Sequence, residues 1–264
     1  MQLTADYHTH TVFSHGKGQI IDNALVAKQK GLKQLGISDH GFSHPAFGLT
    51  KKKVSVMRKL CDEASQQTGV QVLFGIESNI ISTEGEVDLK PKMYEHFDIF
   101  LAGIHKFVLF RPKSFWTLSL PDIYRTFIHR EKVSENLRKT NTKAFINTIK
   151  NNPVDVINHL NFDCFSYAEE VAKAAADNGT YIELNAKKVH LTDEELYKVV
   201  KTGVNFVISS DAHTPDRVAE ISLVEQLLKR VDVPLDRIKN IDGRLPNMRF
   251  KAYKERMCWR LSTK

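Results

Sequence analysis

At 264 residues, 42% hydrophobic and 26% charged, the chain has enough apolar material for one sizeable core and lacks the bias of a disordered or fibrous protein. No stretch approaches the ~18 apolar residues of a membrane span, Asp6 stands where a signal peptide would be hydrophobic, and the cysteines (Cys61, Cys164, Cys258) are scattered; neither membrane nor leader is expected, and free thiols suit a reducing cytoplasm better than a disulfide framework. The net charge of +7 is uneven, because 106–150 holds ten basic and three acidic residues and 237–264 nine and two. Two basic segments on an otherwise acidic body favour anionic partners, phosphates above all, where their charges are not simply solvated helix faces.

Strand and helix signals alternate down the chain. Residues 3–7 read as a first strand, and 20–30 as a helix with Ile21, Ala24, Leu25 and Ala27 at helical spacing and Gly31 as its stop. A second strand over 34–38 runs into Asp39-His40-Gly41, and a helix follows from about 52 to 67. Residues 70–76 form a third strand closed by Glu77, and 99–104 a fourth that ends at His105. The stretch 106–119 is basic and aromatic without a clear period, and Pro121 opens a long helical stretch to 151. A fifth strand, 154–158, is capped by His159; a helix over 167–178 stops at Gly179; a sixth strand, 181–184, ends at Asn185. Thr192-Asp-Glu-Glu195 is a capping box that opens a helix to 202. The seventh strand, 205–209, leads into Ser210-Asp211-Ala212-His213, followed by a helix over 217–230 and a basic tail with a last helix around 248–261.

Such alternation calls for a mainly parallel sheet, open or closed. The strand ends decide between the two. Each carries, on its C-terminal side, a residue able to bind metal or ligand: His8 and His10, His40, Glu77, His105, His159, Asn185, and Asp211 with His213. Edge strands of an open sheet lie too far apart to serve one site, whereas a closed barrel rings all these ends around a single mouth. The expected fold is therefore α/β, a distorted (β/α)7 TIM-like barrel with its site at the C-terminal ends of the strands. It is read as one domain over 1–264, with a basic insertion at about 106–150 and a basic C-terminal extension at about 237–264.

His8 and His10 are two apart, so an extended strand points both the same way, and His15 can return from the turn to join them. Three neutral imidazoles in eight residues are a good start to a metal site. With His40, Glu77, His105, His159, Asp211 and His213 they form a set of nine. This ordered set resembles the PHP (polymerase and histidinol phosphatase) superfamily, whose motifs run His-x-His, Asp-His, a lone Glu, two lone His and Asp-x-His; here they stand as His8-Thr-His10, Asp39-His40, Glu77, His105, His159 and Asp211-Ala-His213. The resemblance implies three divalent metal ions. His8, His10, Glu77 and Asp211 would hold the first, Glu77 with His105 and His159 the second, and His15, His40 and His213 the third. Imidazole-rich ligation makes zinc the leading candidate, with manganese or iron as alternatives.

The expected reaction is hydrolysis of small phosphomonoesters, histidinol phosphate among the candidates, through a hydroxide bridged by clustered cations. Glu77, Asp211 and His15 are the expected catalytic residues. Lys106, Asn161, Asn185 and Arg217 are the candidates for holding substrate. Asp39 either orients a metal ligand or caps a turn, and 106–120 is either a lid or an insertion that packs its aromatics into the outer core. Two other functions compete: nuclease or phosphodiesterase action on nucleic acid, with the basic segments as a backbone track, and a non-catalytic metal-binding module.

Overall fold

The computed structural model describes residues 1–127, 134–162 and 164–262. Seven strands lie side by side in chain order: β1 (Ala5–Thr9), β2 (Gln34–Ile37), β3 (Gln71–Asn79), β4 (Ile99–Gly103), β5 (Val156–Ile157), β6 (Tyr181–Asn185) and β7 (Phe206–Ser209). Every neighbouring pair is parallel, with helices or helical turns in the crossovers. β7 returns to β1 through a bridge between Thr9 and Ala212, where the His10 amide donates to the Ala212 carbonyl at 2.8 Å. The sheet is thus a nearly closed barrel, the seven-stranded TIM-like form expected from the alternation.

Below that bridge the segment 238–241 fills the gap with isolated bridges, Ile238 to Phe206 on one side and Ile241 to Leu3 on the other, and the buried Asn240 side chain joins both sides. Asn240 donates to the carbonyls of Ala5 (2.8 Å) and Ile208 (2.6 Å) and accepts from the Ile208 amide (2.9 Å). It satisfies backbone groups on both sides of the seam that a ladder partner would otherwise take.

Inside the barrel, an apolar layer of Ala5, Tyr7, Ile99, Leu101, Val156, Tyr181 and Val207 is closed from the N-terminal end by Met248. One pleat higher on the same strands, alternation delivers Glu77, Asn158 and Glu183 to the interior. His8 does not share the parity of Ala5 and Tyr7. β1 pairs Asp6 with Leu35 but Thr9 with Ile37, so it holds one residue too many, and this bulge aims both Tyr7 and His8 inward.

Several elements differ from the sequence expectation for physical reasons. β1 runs through Thr9 and β3 through Asn79, so His8 and Glu77 lie within strands rather than beyond them. In place of one helix over 217–230 there is a 3-10 turn (Pro215–Arg217) and a shorter helix (Ser222–Leu228). Ala219 breaks the run: at φ 58° its amide donates to Asp6 Oδ2 at 2.9 Å instead of to a helical carbonyl. The stretch expected over 121–151 contains helices Leu120–Phe127 and Glu135–Asn151, the second capped by Ser134, whose side chain accepts from the Leu137 amide. Residues 128–133 of that expectation, His129 included, lie outside the described residues.

The two basic segments meet where Arg249 donates to the Ile149 carbonyl at 2.8 Å. Lys106 follows β4 at the mouth, whereas the second segment closes the far end through Met248 and through the Phe250 amide, which donates to Asp155 Oδ1 at 2.8 Å. Among the described residues, no helix is long and apolar enough to cross a membrane.

Candidate metal centre

The nine expected ligands converge at the barrel mouth, around Glu77. Its Oε1 lies 2.7 Å from His159 Nε2, 2.9 Å from His105 Nε2 and 3.2 Å from His8 Nε2. Its Oε2 lies 2.6 Å from His40 Nδ1 and 3.7 Å from His10 Nε2. Four groups have donor atoms within 4.8 Å of one another: His8, His10 and Asp211; His10, His40 and Glu77; Glu77, His105 and His159; and His10, His15 and His213. Glu77 and His10 each belong to more than one group. His40 sits with Glu77 while its ring stacks on His15 at 4.7 Å between centroids, so the arrangement links the expected second and third sets through His40.

The donor chemistry fits divalent cations. Imidazole nitrogens face each other at 3.2 Å in two pairs, His8 with His10 and His105 with His159. Although His40 Nδ1 and Glu77 Oε2 are close, neither is aligned for a hydrogen bond, and both are buried without such a partner among the described residues. Lone pairs that meet in this way, deep in the protein, suit a shared cation.

Electrostatics divides the site into a charged floor and a neutral rim. Burial opposes ionisation of Glu77, but the imidazoles of His105, His40 and His8 outweigh it and hold the carboxyl well below the usual range. Asp211 is likewise held low against burial by His8 and His10. Burial pushes His10 down, yet Asp211, Asp39 and Glu77 prevail and bring it up to about 9; His8 is raised in the same way by Glu183, Asp211 and Glu77. Carboxylates that hold a proton on these rings would hold a cation in its place. At the rim, burial first, then the positive charge of His10, lowers His15 to about 4 and His213 to about 3. His40 falls to about 3, chiefly by burial. These neutral rings keep a lone pair available at ordinary pH.

Comparison with known proteins bears directly on this geometry. The PHP-domain family profile matches residues 6–187. The chain is 31% identical over 252 residues to a protein of Thermoanaerobacter sp. named "probable phosphatase", covering 92% of each chain. The chain belongs to the PHP-domain family. Another relative, a "probable phosphatase" of Caldanaerobacter subterraneus subsp. tengcongensis, is 30% identical and covers 91% of this chain and 88% of its own. A solved structure of a histidinol phosphate phosphatase from Lactococcus lactis, complexed with zinc, L-histidinol and phosphate, shares the fold with a TM-score of 0.55 at 13% identity, covering 87% of this chain and 94% of that one.

In this PHP chain the ligand set rests on partners that sequence reasoning overlooked. Glu183, fully buried in β6, accepts from His8 Nδ1 (2.8 Å), the His159 amide (2.7 Å) and Asn185 Nδ2 (3.0 Å). A proton on His8 Nδ1 leaves its Nε2 bare toward the centre, the usual service of a carboxylate behind a ligating histidine. Asn158 Nδ2 reaches Glu77 Oε1 at 2.5 Å, and Gly103 stands beside it because a Cβ there would come 2.6 Å from Asn158 Oδ1. Asp39 anchors the turn after β1 through Thr11 and Ser14, and its carboxylate lies 3.7 Å from His10 Nδ1. His159 (φ 27°) and Asp211 (φ 49°) take left-handed backbone, a cost that clusters at functional sites.

A cavity of about 420 Å³ opens over the candidate ligands, a size suited to a small molecule. Lys106 lines it, as expected, and so do Phe107, Phe162, Lys187, Lys188, His44 and His190. The remaining substrate candidates lie elsewhere. Asn161 is turned into its own loop, where Oδ1 accepts from the amide and hydroxyl of Ser166. Asn185 supports Asp211 Oδ2 (3.2 Å) and Glu183, and Arg217 is exposed on its 3-10 turn, outside the cavity lining. Within 106–120, Phe107 sits on the cavity wall and Leu118 packs into the core, while Trp116 is exposed; the segment combines wall and packing roles.

Proposed function

We propose that this PHP protein hydrolyses small phosphomonoesters with divalent cations held by His8, His10, His15, His40, Glu77, His105, His159, Asp211 and His213. Zinc is the leading occupant, three ions the expected number, and manganese or iron the alternatives. The observation that carries the reading is the convergence of these donors on Glu77, under a cavity sized for a small ligand. The names of its relatives, and the zinc, L-histidinol and phosphate in the Lactococcus structure, support the same chemistry.

Cations bound there would supply Lewis acidity, bringing the pKa of water toward neutrality and neutralising phosphoryl oxygens. The chain's own groups do the rest. Glu77 presents an oxygen to each side of the cluster, as a carboxylate can and an imidazole cannot. Glu183 fixes the His8 ring, and Asp39 backs His10. Lys106, Lys187 and Lys188 draw anions to the mouth, while Phe107, Phe162 and His190 offer a wall for the leaving group.

Elemental analysis of the purified protein, followed by a phosphomonoester panel with and without chelator, tests the proposal. Activity should vanish on chelation and return with metal, and Glu77→Gln should abolish turnover with an unchanged circular dichroism spectrum. Unchanged turnover by that variant would refute the mechanism.

A further inference from the structure

Lys187 follows β6 by two residues, on a loop whose start is fixed: the amides of Lys187 and Lys188 both donate to Asn185 Oδ1, at 2.9 and 3.2 Å. Its side chain is 48% exposed, so the stem retains freedom while its origin does not. The ammonium lies 3.3 Å from Asp211 Oδ1 and 3.1 and 3.3 Å from the two ring nitrogens of His213. A neutral imidazole has one lone pair, and with Nδ1 donating to the Asp211 carbonyl at 2.9 Å that lone pair is on Nε2, so an ammonium about as close to Nδ1 as to Nε2 rests against the ring instead of bonding it well. Both contacts are with candidate metal ligands. Divalent cations, one held by Asp211 and another by His213, would repel this ammonium and take its acceptors. Pivoting from a fixed Cα on the cavity wall, the displaced group needs an anion within reach, and a bound phosphoryl group is that anion.

Resting on the phosphatase reading above, we propose that Lys187 grips the substrate's phosphoryl group and sets a preference for dianionic phosphomonoesters over monoanionic diesters. The preference follows from Coulomb's law: one added positive charge attracts a group of charge near −2 about twice as strongly as one of −1. Its three N–H donors also match the three terminal oxygens of a monoester, of which a diester keeps two.

The test compares wild type and Lys187→Gln, both loaded with manganese, on p-nitrophenyl phosphate and bis-p-nitrophenyl phosphate. Inorganic phosphate binding is measured by calorimetry and bound metal by elemental analysis. The variant should lose about 10- to 100-fold in kcat/KM on the monoester and in phosphate affinity, as expected for a lost charge-assisted bond. On the diester it should lose only about 3- to 10-fold, half the free energy lost on the monoester, with metal content equal to wild type. Phosphate affinity within about twofold of wild type, or metal lost together with activity, overturns the proposal. If the wild type hydrolyses neither ester, the phosphatase reading is what fails, and phosphate calorimetry on the two proteins still decides the role of Lys187.

Discussion

Replacing Glu183 by Gln isolates the support behind the metal site. All three groups around the carboxylate are donors: His8 Nδ1 at 2.8 Å, the His159 amide at 2.7 Å and Asn185 Nδ2 at 3.0 Å. Burial opposes its charge, but His8 outweighs burial and keeps the carboxyl below its usual range, so the wild-type group is an anion at neutral pH. Glutamine has the same shape but brings an NH₂ of its own. If that NH₂ meets His159 and Asn185, buried donors face each other, at a cost of about 1–3 kcal/mol. If it meets His8, Nδ1 must accept, the proton moves to Nε2, and the ring no longer offers its lone pair to the centre. On either path metal affinity should fall about 10- to 100-fold, the usual consequence of losing a carboxylate behind a ligating histidine, or about 1.4–2.8 kcal/mol. Competitive titration against a chromophoric chelator reads this directly, with a thermal melt of the metal-free protein to separate folding from binding. Affinity within about twofold of wild type would show that Glu183 does not orient His8.

Asn240→Ala removes three buried bonds at the seam and should cost about 2–4 kcal/mol in urea unfolding of the metal-free protein; a change below about 0.5 kcal/mol would mean that the seam is held by other contacts. Burial pushes Asp155 from 3.8 up to about 7 against the pull of the Phe250 and Phe100 amides. Because the folded state then binds the proton more tightly than the unfolded chain, its contribution is full below pH 3.8 and is lost as pH rises through about 7. Wild-type stability measured relative to Asp155→Asn should therefore fall by a few kcal/mol across that window, and a flat difference would contradict the assignment. Chelation should lower the melting temperature, since cations bind the folded state alone; equal melts with and without metal would rule out binding at this centre.

The barrel and its ligands were legible because parallel strands write their function at their C-terminal ends. His40, His105, His159 and the Asp211–His213 pair each follow a short apolar run, and a closed wall is the arrangement that brings such ends together. Glu183 was harder to see. Within Tyr-Ile-Glu-Leu-Asn it reads as one polar residue of an otherwise apolar strand, although an acid flanked on both sides by buried apolar residues was itself a signal. Lys187 and Lys188 look like ordinary loop lysines until Asn185 is seen to hold their amides. The β1 bulge was not legible locally. Asp6 is held by the hydroxyl and amide of Ser210 and by the amide of Ala219, more than two hundred positions away. The same long-range acceptor interrupts the helix that periodicity alone supports over 217–230.

Closure through Asn240 also sets an order of events during synthesis. The seam below the Thr9–Ala212 bridge stays unsealed on the ribosome until residue 240 has emerged, since that side chain ties the first strand to the last there. Before Asp211 and His213 emerge, an arriving ion finds only the groups built from His10, His40, Glu77, His105 and His159. Full loading is thereby deferred to the end of translation, when nearly the whole chain is available to retain the ion.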